Sequence, residues 1–240
     1  MYNNLADKNI LITGASNGIG KQIALSYGKY CKNLIAIGRS QSALENLDIQ
    51  LKNTKCNPIL IPMDLTIYQL ISDLHIELTK RIENLDVLIL NAATLGELTP
   101  ITHIDENDWN NAFSLNVTSN VIILKIFEDL IKKSSKAQIM ILTSDLIHKK
   151  KPYWGLYSAS KAAMEKIAYS YSCEIKNTHI KINLVDPGSV NTKLRMKAYP
   201  GEAKNSLTQP EDLDEFFLDI IFNDNYNNGD LISYNDWKNK

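Results

Sequence analysis

Asn9-Ile-Leu-Ile-Thr-Gly-Ala-Ser-Asn-Gly-Ile-Gly20 is the stretch that decides the fold. A short apolar run, Asn9 to Thr13, stops at a glycine-rich turn, and a helical pattern follows from Lys21 to Tyr30. Strand, glycine-rich turn and helix in that order form the context in which a nucleotide diphosphate rests on a helix N-terminus. Unbonded backbone N–H groups and the helix dipole point at the anion, and glycine lets the backbone come close. The spacing is Gly-x-x-x-Gly-x-Gly, and taken alone it also suits a plain strand-to-helix turn. The rest of the chain decides between the two.

The same alternation continues outward. Leu34 to Ile37 is a second buried strand ending in Gly38-Arg39-Ser40, with a helix to about Leu51. A carboxylate at that strand end would bond a ribose 2′-hydroxyl, whereas an arginine suits a 2′-phosphate. No Asp or Glu stands at or beside Gly38, so Arg39 points to NADP over NAD, the alternative being an ordinary solvated arginine. Pro58 to Pro62 is a third strand leading into Met63-Asp64-Leu65-Thr66, where Asp64 either caps the next helix or meets an adenine. That helix, Thr66 to about Glu83, places Ile67, Leu70, Ile71, Leu74 and Leu78 on one face for packing.

Asp86 to Leu90 is a fourth strand, continuously apolar as a parallel sheet covered on both faces requires. Asn91-Ala92-Ala93-Thr94 follows, small enough for a flat ring to approach the backbone. A long helix from about Asp105 to Lys132 holds Asn116 inside it, an unfavourable mid-helix residue that signals a kink, a buried water site or a function. Gln138 to Thr143 is the fifth strand, ending in Ser144 and the loop Asp145 to Pro152. A helix from Tyr157 to about Lys176 and a sixth strand, Ile180 to Val185, lead to Asp186-Pro187-Gly188-Ser189-Val190-Asn191-Thr192. Residues Lys193 to Gln209 read as irregular and polar, Pro210 starts a helix, and Asn227-Asn228-Gly229-Asp230 turns into a last strand, Leu231 to Tyr234.

These alternating elements predict one α/β domain over residues 1–240: a doubly wound, mostly parallel sheet of about seven strands with helices on both faces. Chemistry in such a sheet belongs at the carboxyl ends of the strands, where Gly14, Arg39, Asp64, Asn91, Ser144 and Pro187 all fall. In the helix after the fifth strand, Tyr157 and Lys161 lie one turn apart on the same face. A fixed ammonium beside a phenol favours the phenolate, so Lys161 is expected to lower the Tyr157 pKa toward the range of an acid/base catalyst.

Composition narrows the partners. The chain has 240 residues, 26 basic and 27 acidic, for a formal charge of -1, which gives no footprint for nucleic acid or an anionic membrane. Cys31, Cys56 and Cys173 have no metal-ligand spacing and read as idle thiols in a reducing compartment. No stretch approaches the ~18 apolar residues of a membrane span. A cytoplasmic protein is expected.

Together these motifs resemble the classical short-chain dehydrogenase/reductase family over essentially the whole chain. The matching residues are Thr13 to Gly20, Asp64, Asn91-Ala92-Ala93, Asn116, Ser144, Tyr157-x-x-x-Lys161 and Pro187-Gly188-x-x-x-Thr192. The resemblance implies a Rossmann fold and a catalytic set of Asn116, Ser144, Tyr157 and Lys161. Tyr157 would be the proton donor, Ser144 would polarise a carbonyl, Lys161 would tune Tyr157 and hold the nicotinamide ribose, and Asn116 would hold a relay water. It also implies a cofactor set. Gly14, Ser16, Gly18, Ile19 and Gly20, with Asn17 beside them, would meet phosphates and ribose; Arg39 would meet the 2′-phosphate, and Asp64 and Leu65 the adenine. Asn91, Ala92 and Ala93 would line the nicotinamide ribose, and Pro187, Gly188, Val190 and Thr192 would hold the carboxamide end. Two departures stand out. The family's usual Asn-Asn-Ala-Gly is Leu90-Asn91-Ala92-Ala93 here, which adds a methyl near the ribose and removes a bracing amide. Asn17 stands where many NADP-dependent members carry a basic residue, so the NADP preference over a possible NAD rests on Arg39.

The substrate side would comprise Leu146, Ile147, Tyr153, Trp154 and a loop around 193–209. His148-Lys149-Lys150-Lys151 is either a solvated loop or a receptor for an anionic substrate or acidic carrier protein. Ala198-Tyr199-Pro200-Gly201-Glu202 is similar to bacterial short-chain oxidoreductases of the YciK type. The expected activity is NADP(H)-dependent interconversion of a small-molecule carbonyl and a secondary alcohol. A 3-oxoacyl thioester (acyl-carrier-protein) reductase and a non-catalytic NADP-binding sensor or scaffold are the alternatives. The resemblance also implies a homodimer or homotetramer through the helices starting near Asp105 and Tyr157.

Overall fold

The continuous apolar runs become the interior of one sheet. The computed structural model describes residues 5–222 and 225–239, so the ends of the expected domain, residues 1–4 and 240, lie outside it. Strands β1 (Asn9–Thr13), β2 (Asn33–Gly38), β3 (Asn57–Pro62), β4 (Val87–Leu90), β5 (Ala137–Leu142), β6 (Ile180–Asp186) and β7 (Leu231–Ser233) pair in the order β3-β2-β1-β4-β5-β6-β7, every pair parallel. The α-helices among the described residues are α1 (Gly18–Gly28), α2 (Gln41–Leu51), α3 (Tyr68–Leu78), α4 (Glu106–Phe113), α5 (Ser119–Lys132), α6 (Gly155–Glu174), α7 (Lys193–Ala198), α8 (Asp214–Phe222) and α9 (Tyr234–Lys238). This is a doubly wound Rossmann sheet, and the strand order reverses direction between β1 and β4.

Alternate residues of each strand feed opposite cores. Ile10 and Ile12 pack with Ile23 and Tyr27 of α1, Leu44 and Leu47 of α2 and Phe216 and Phe217 of α8. Leu11, Ile35 and Ile37 pack on the other face with Ile71 and Leu74 of α3, Ile123 and Phe127 of α5 and Met164 of α6. Each such side chain contributes about 1.5–3 kcal/mol by leaving water, and so the two cores dominate the fold. At the sheet edge, β3 is exposed at Asn57 and Pro62 and carries two prolines, which cannot donate to a further strand.

Five elements differ from the expectation, most of them for a local reason. The third helix begins only at Tyr68, because Asp64 Oδ1 accepts from Thr66 N (2.9 Å) and Thr66 Oγ1 (2.7 Å) and holds the chain in a turn. Ile67, left outside the helix, is 54% exposed, and Leu70 within it is 37% exposed, whereas Ile71, Leu74 and Leu78 are buried. The long helix is interrupted by a π-helical turn, Ser114–Thr118, where the Asn116 side chain reaches the backbone of Thr94. The segment from Lys193 is ordered: it forms α7, a 3₁₀ turn at Lys204–Ser206 and a parallel bridge between Val190 and Thr208. The last strand stops at Ser233, whose Oγ caps α9 by accepting from Asp236 N. The Tyr157 helix starts two residues early, at Gly155.

The amino ends of the strands are fastened by side-chain amides. Asn57 Nδ2 donates to Asn33 Oδ1 (3.0 Å), Asn33 Nδ2 to Asn9 Oδ1 (2.7 Å) and Asn9 Nδ2 to Asn84 O (2.9 Å). Buried Asp86 accepts from Asn9 N, Ser134 Oγ and Lys8 Nζ alongside. Replacing Asn33 by Ala strands one acceptor and one donor in the ladder. Urea unfolding of Asn33→Ala should show a loss of about 2 kcal/mol, and an unchanged midpoint would dismiss the ladder as a structural element.

Candidate functional site

Thr13 joins the two strands that flank the crossover point. Its Oγ1 accepts from Asn91 N (3.0 Å) and Ala92 N (3.1 Å) and donates to Ile89 O (3.3 Å). Asn91 Nδ2 returns bonds to Thr13 O (3.0 Å) and Gly14 O (3.2 Å). A cleft of about 470 Å3 opens beside this junction, at the carboxyl ends of the strands. Gly14, Ser16, Asn17, Gly18, Ile19, Arg39, Leu65, Asn91, Ala92, Ala93, Ser144, Tyr157, Lys161, Pro187, Gly188, Val190 and Thr192 line it, as expected.

Three expected site residues stand outside that lining. Gly20 packs: a Cβ there would lie 2.3 Å from Asn91 Nδ2 and 2.4 Å from Gly14 O, so this glycine lets α1 close on the sheet. Asp64 is committed to Thr66, and that contact, ahead of nearby Arg39, holds its carboxyl below the usual carboxylate range. It does not cap α3, whose N-cap is Ile67, but holds the turn that precedes it. Asn116 lies behind the cleft wall. Its Oδ1 accepts from Thr94 N (2.8 Å), while its Nδ2 donates to Thr94 O (2.9 Å) and Ser160 Oγ (2.9 Å). Ser160 in turn donates to Tyr157 O, so Asn116 ties the loop after β4 to the helix turn that carries Tyr157.

The glycine turn is shaped for a ligand. Gly14 and Gly18 take φ of 68° and 54°, the left-handed region that suits glycine, and a Cβ on Gly14 would meet Ala92 Cα at 2.9 Å. Asn17 makes no side-chain cap, and the first turn of α1 holds no acidic residue. The lining includes four cationic side chains, Arg39, Lys161, Lys193 and Arg195, and no Asp or Glu among the described residues. A polyanion is the ligand such a cleft suits.

At the other end, Ser144 Oγ accepts from Leu146 N (3.3 Å), which leaves its own hydrogen to donate. The Tyr157 hydroxyl has no hydrogen-bond partner among the described residues, and its ring meets Trp154 edge-on at 5.9 Å. Lys161 Nζ donates to Leu142 O (2.8 Å) and sits 5.9 Å from the Tyr157 ring centroid. Burial pushes Lys161 down to about 8, and burial followed by the charge of Asp186 pushes Tyr157 up to about 12. The expected lowering of Tyr157 by Lys161 is therefore absent from the protein alone: burial and then the charge of Asp186 both disfavour the phenolate. The phenol keeps its proton through the neutral range and is poised as an acid.

The substrate wall is apolar. Leu95, Leu98, Leu146, Trp154, Leu194, Ala198 and Tyr199 cluster about Tyr157. Tyr153 is 56% exposed at φ 71°, a costly conformation for a bulky residue, and the turn it makes sends Trp154 inward. Tyr153 and Ile147 do not line the cleft. Two of the three lysines in the basic run are engaged, Lys149 with Asp145 and Lys151 with Tyr199 OH and the Tyr199 ring. Lys193 and Arg195 belong to the loop around 193–209 that the sequence assigned to the substrate side, but the helix α7 that carries them gave no helical signal.

A family model for short chain dehydrogenases matches residues 8–203. The uncharacterized oxidoreductase YciK of Escherichia coli is 28% identical over 225 residues, 92% of this chain and 88% of that protein. A solved Pseudomonas syringae protein described as a short chain dehydrogenase is 27% identical, with a TM-score of 0.92 over 97% of this chain and 96% of its own. A Shigella flexneri protein described in the same way, complexed with NADP, is 25% identical, with a TM-score of 0.91 over 97% of this chain and 99% of its own.

The buried lysine gives a signed test. Its folded pKa lies below the unfolded value, so the charged form penalises the fold fully below pH 8, and the penalty fades as pH rises toward 10.5. The full penalty is up to about 3 kcal/mol. Denaturant unfolding should find the wild type gaining stability on Lys161→Met between pH 8 and 10.5; a gap that stays constant with pH would refute the burial effect.

Proposed function

The chain belongs to the short chain dehydrogenase family, and on that premise we propose that it is an NADP(H)-dependent oxidoreductase interconverting a carbonyl and a secondary alcohol, with Tyr157 as the proton donor in reduction. The observation that carries this reading is the cleft itself: it is lined by a glycine turn, by Arg39 and three further cations, and by the Ser144 hydroxyl and a Tyr157 hydroxyl with no partner among the described residues. When bound, NADPH supplies the hydride.

The protein's own residues bind, orient and move the proton. The turn Gly14 to Ile19 receives the diphosphate on the N-terminus of α1. Arg39, exposed at the end of β2, receives the 2′-phosphate as a charge-assisted partner. Asn91, Ala92 and Ala93 border the nicotinamide ribose, with Pro187, Gly188, Val190 and Thr192 across the cleft from them. A carbonyl substrate accepts hydrogen bonds from Ser144 Oγ and Tyr157 Oη. As negative charge develops on its oxygen, the two fixed donors stabilise the transition state more than the ground state. The Tyr157 proton passes to that oxygen, and the Lys161 ammonium stabilises the phenolate left behind. Asn116, committed to Thr94 and Ser160, acts as a positioning residue for Tyr157. The basic run that suggested an acyl-carrier partner gives that alternative little support, since Lys149 and Lys151 have partners within the protein.

The protein is proposed to associate with itself through α4, α5 and α6, where Trp109 and Val121 are 40% and 38% exposed. Light scattering should give a dimer or tetramer that Val121→Glu weakens, and a wild-type monomer would sink this part.

The catalytic test is NADPH and NADH oxidation against a panel of ketones, aldehydes and acetoacetyl thioester. Tyr157→Phe should lower kcat at least a hundredfold with cofactor affinity intact. Arg39→Ala should weaken NADPH and leave NADH unchanged, since only the former carries the 2′-phosphate. Turnover surviving in Tyr157→Phe would remove Tyr157 as the acid.

A further inference from the structure

Among the described cations of the cleft lining, Lys193 is one that neither a protein partner nor the roles proposed above for Arg39 and Lys161 account for. Arg195, two residues on, donates from Nε and Nη2 to the two carboxylate oxygens of Glu202 at 2.6 Å each, and Lys197 donates to Gly96 O at 3.0 Å. Lys161 is spent on Leu142 O. Lys193 is exposed, lines the cleft and has no hydrogen-bond or ion-pair partner among the described residues. A long cation left unpaired at the wall of a ligand cleft is available to a ligand anion.

Its neighbour fixes which part of the cleft it serves. Thr192 lies directly over the glycine turn: a Cβ on Gly18 would come within 3.1 Å of Thr192 Cγ2. Thr192 is itself held, because its Oγ1 accepts from Arg195 N (3.1 Å) as the N-cap of α7. The bridge of Val190 to Thr208 and the bond from Asn191 N to Thr208 O (2.9 Å) secure the strand that delivers it. Lys193 therefore leaves a rigid point facing the start of α1, where Asn17 provides no cap and no carboxylate competes. Arg39 stands at the end of β2, beyond the turn, beside Ser40 and Asp64.

We propose that Lys193 is a further cofactor-binding residue that closes over the dinucleotide diphosphate from the α7 side of the cleft, opposite the α1 N-terminus. The two exposed cations then divide the cofactor between them. Arg39 distinguishes NADP from NAD, and Lys193 binds both alike, because the diphosphate is common to them. Its ammonium is a flexible point charge that suits a diphosphate of varying pose, whereas the planar fork of an arginine suits one fixed phosphate. This rests on the proposal that the cleft takes NADP(H).

The experiment is a fluorescence titration of wild type, Lys193→Ala, Lys193→Arg and Arg39→Ala with NADPH and with NADH, at low and high salt, with thermal unfolding as the check on folding. Lys193→Ala should weaken both cofactors by the same factor, roughly tenfold, with the difference shrinking as salt rises and only partly recovered in Lys193→Arg, which restores the charge without the flexible ammonium. Arg39→Ala should weaken NADPH alone. Unchanged affinities in Lys193→Ala would overturn the assignment and leave the cofactor reading standing. Loss confined to NADPH would move Lys193 to the 2′-phosphate and equally overturn it. A wild type that binds neither cofactor would overturn both proposals.

Discussion

Everything at the ligand end of this protein depends on the clasp between Thr13 and Asn91. A doubly wound sheet opens a crevice where consecutive crossovers leave in opposite directions, and here that point lies between β1 and β4. Parallel pairing alone does not hold the two strand ends at a set separation beyond the last ladder bond. One hydroxyl does: Thr13 Oγ1 accepts from two successive N–H groups of the β4 exit, and the Asn91 amide answers with two bonds to the β1 exit. Gly14 and Gly20 are required by the same contact, since a Cβ on either would strike the Asn91 amide. The glycine pattern is thus as much a consequence of the clasp as a provision for a ligand. The bracing amide that the motif lacks at Leu90 is not missed, because Asn91 bridges the gap itself.

The buried pair proposed for acid/base work, Tyr157 and Lys161, shows the opposite economy, in which stability is given up. Lys161 and Tyr157 are 6% and 8% exposed, and burial disfavours the charged form of each. Neither group would be placed there by packing. What retains them is the rigidity of α6, held from behind by a chain of bonds from Thr94 through Asn116 to Ser160 and the backbone of Tyr157. The π turn around Asn116 is the local cost of that chain: the helix takes an extra residue so that one amide can face the loop after β4. A phenol that stays protonated and an ammonium close to its own titration suit proton donation, and a bound dinucleotide would add charge that the protein alone lacks.

What was legible in the residues follows from range. The unit from Asn9 to Gly28, the apolar strands and the order of strands and helices are local patterns, with glycines, β-branched runs and helical periodicity all pointing one way, and they emerged with boundaries shifted by a few residues. The lining residues of the glycine turn, the β4 exit and the Tyr157 helix were equally readable, since each sits at a strand end or on one helix face. Asp64, Gly20 and Asn116 lie outside the cleft lining and bond or pack against Thr66, Asn91 and Thr94, partners set by tertiary folding that a motif of residue types does not contain. Ile67 and Leu70 fitted a helical face in periodicity yet fell outside the core, Ile67 because the Asp64 turn leaves it outside the helix.

The segment after Thr192 is the instructive failure, because its order comes from contacts that no periodicity reveals. Its residues are polar and contain Pro200-Gly201, the composition of a loop. In three dimensions the polar groups neutralise one another: Arg195 on Glu202, Lys197 on Gly96 O, and Tyr199 between Lys151 at 4.3 Å and Arg195 at 4.1 Å from its ring centroid. Cation–π contacts of this kind are worth about 0.5–2 kcal/mol each, enough in combination to fix a short helix that propensity would not form alone. The apolar remainder, Leu194, Ala198 and Tyr199, then closes over Trp154 and Tyr157. The same six-residue helix, α7, thereby brings an apolar face and a lysine to the wall of one cleft, so that packing of Leu194 and Ala198 also fixes where Lys193 leaves the chain.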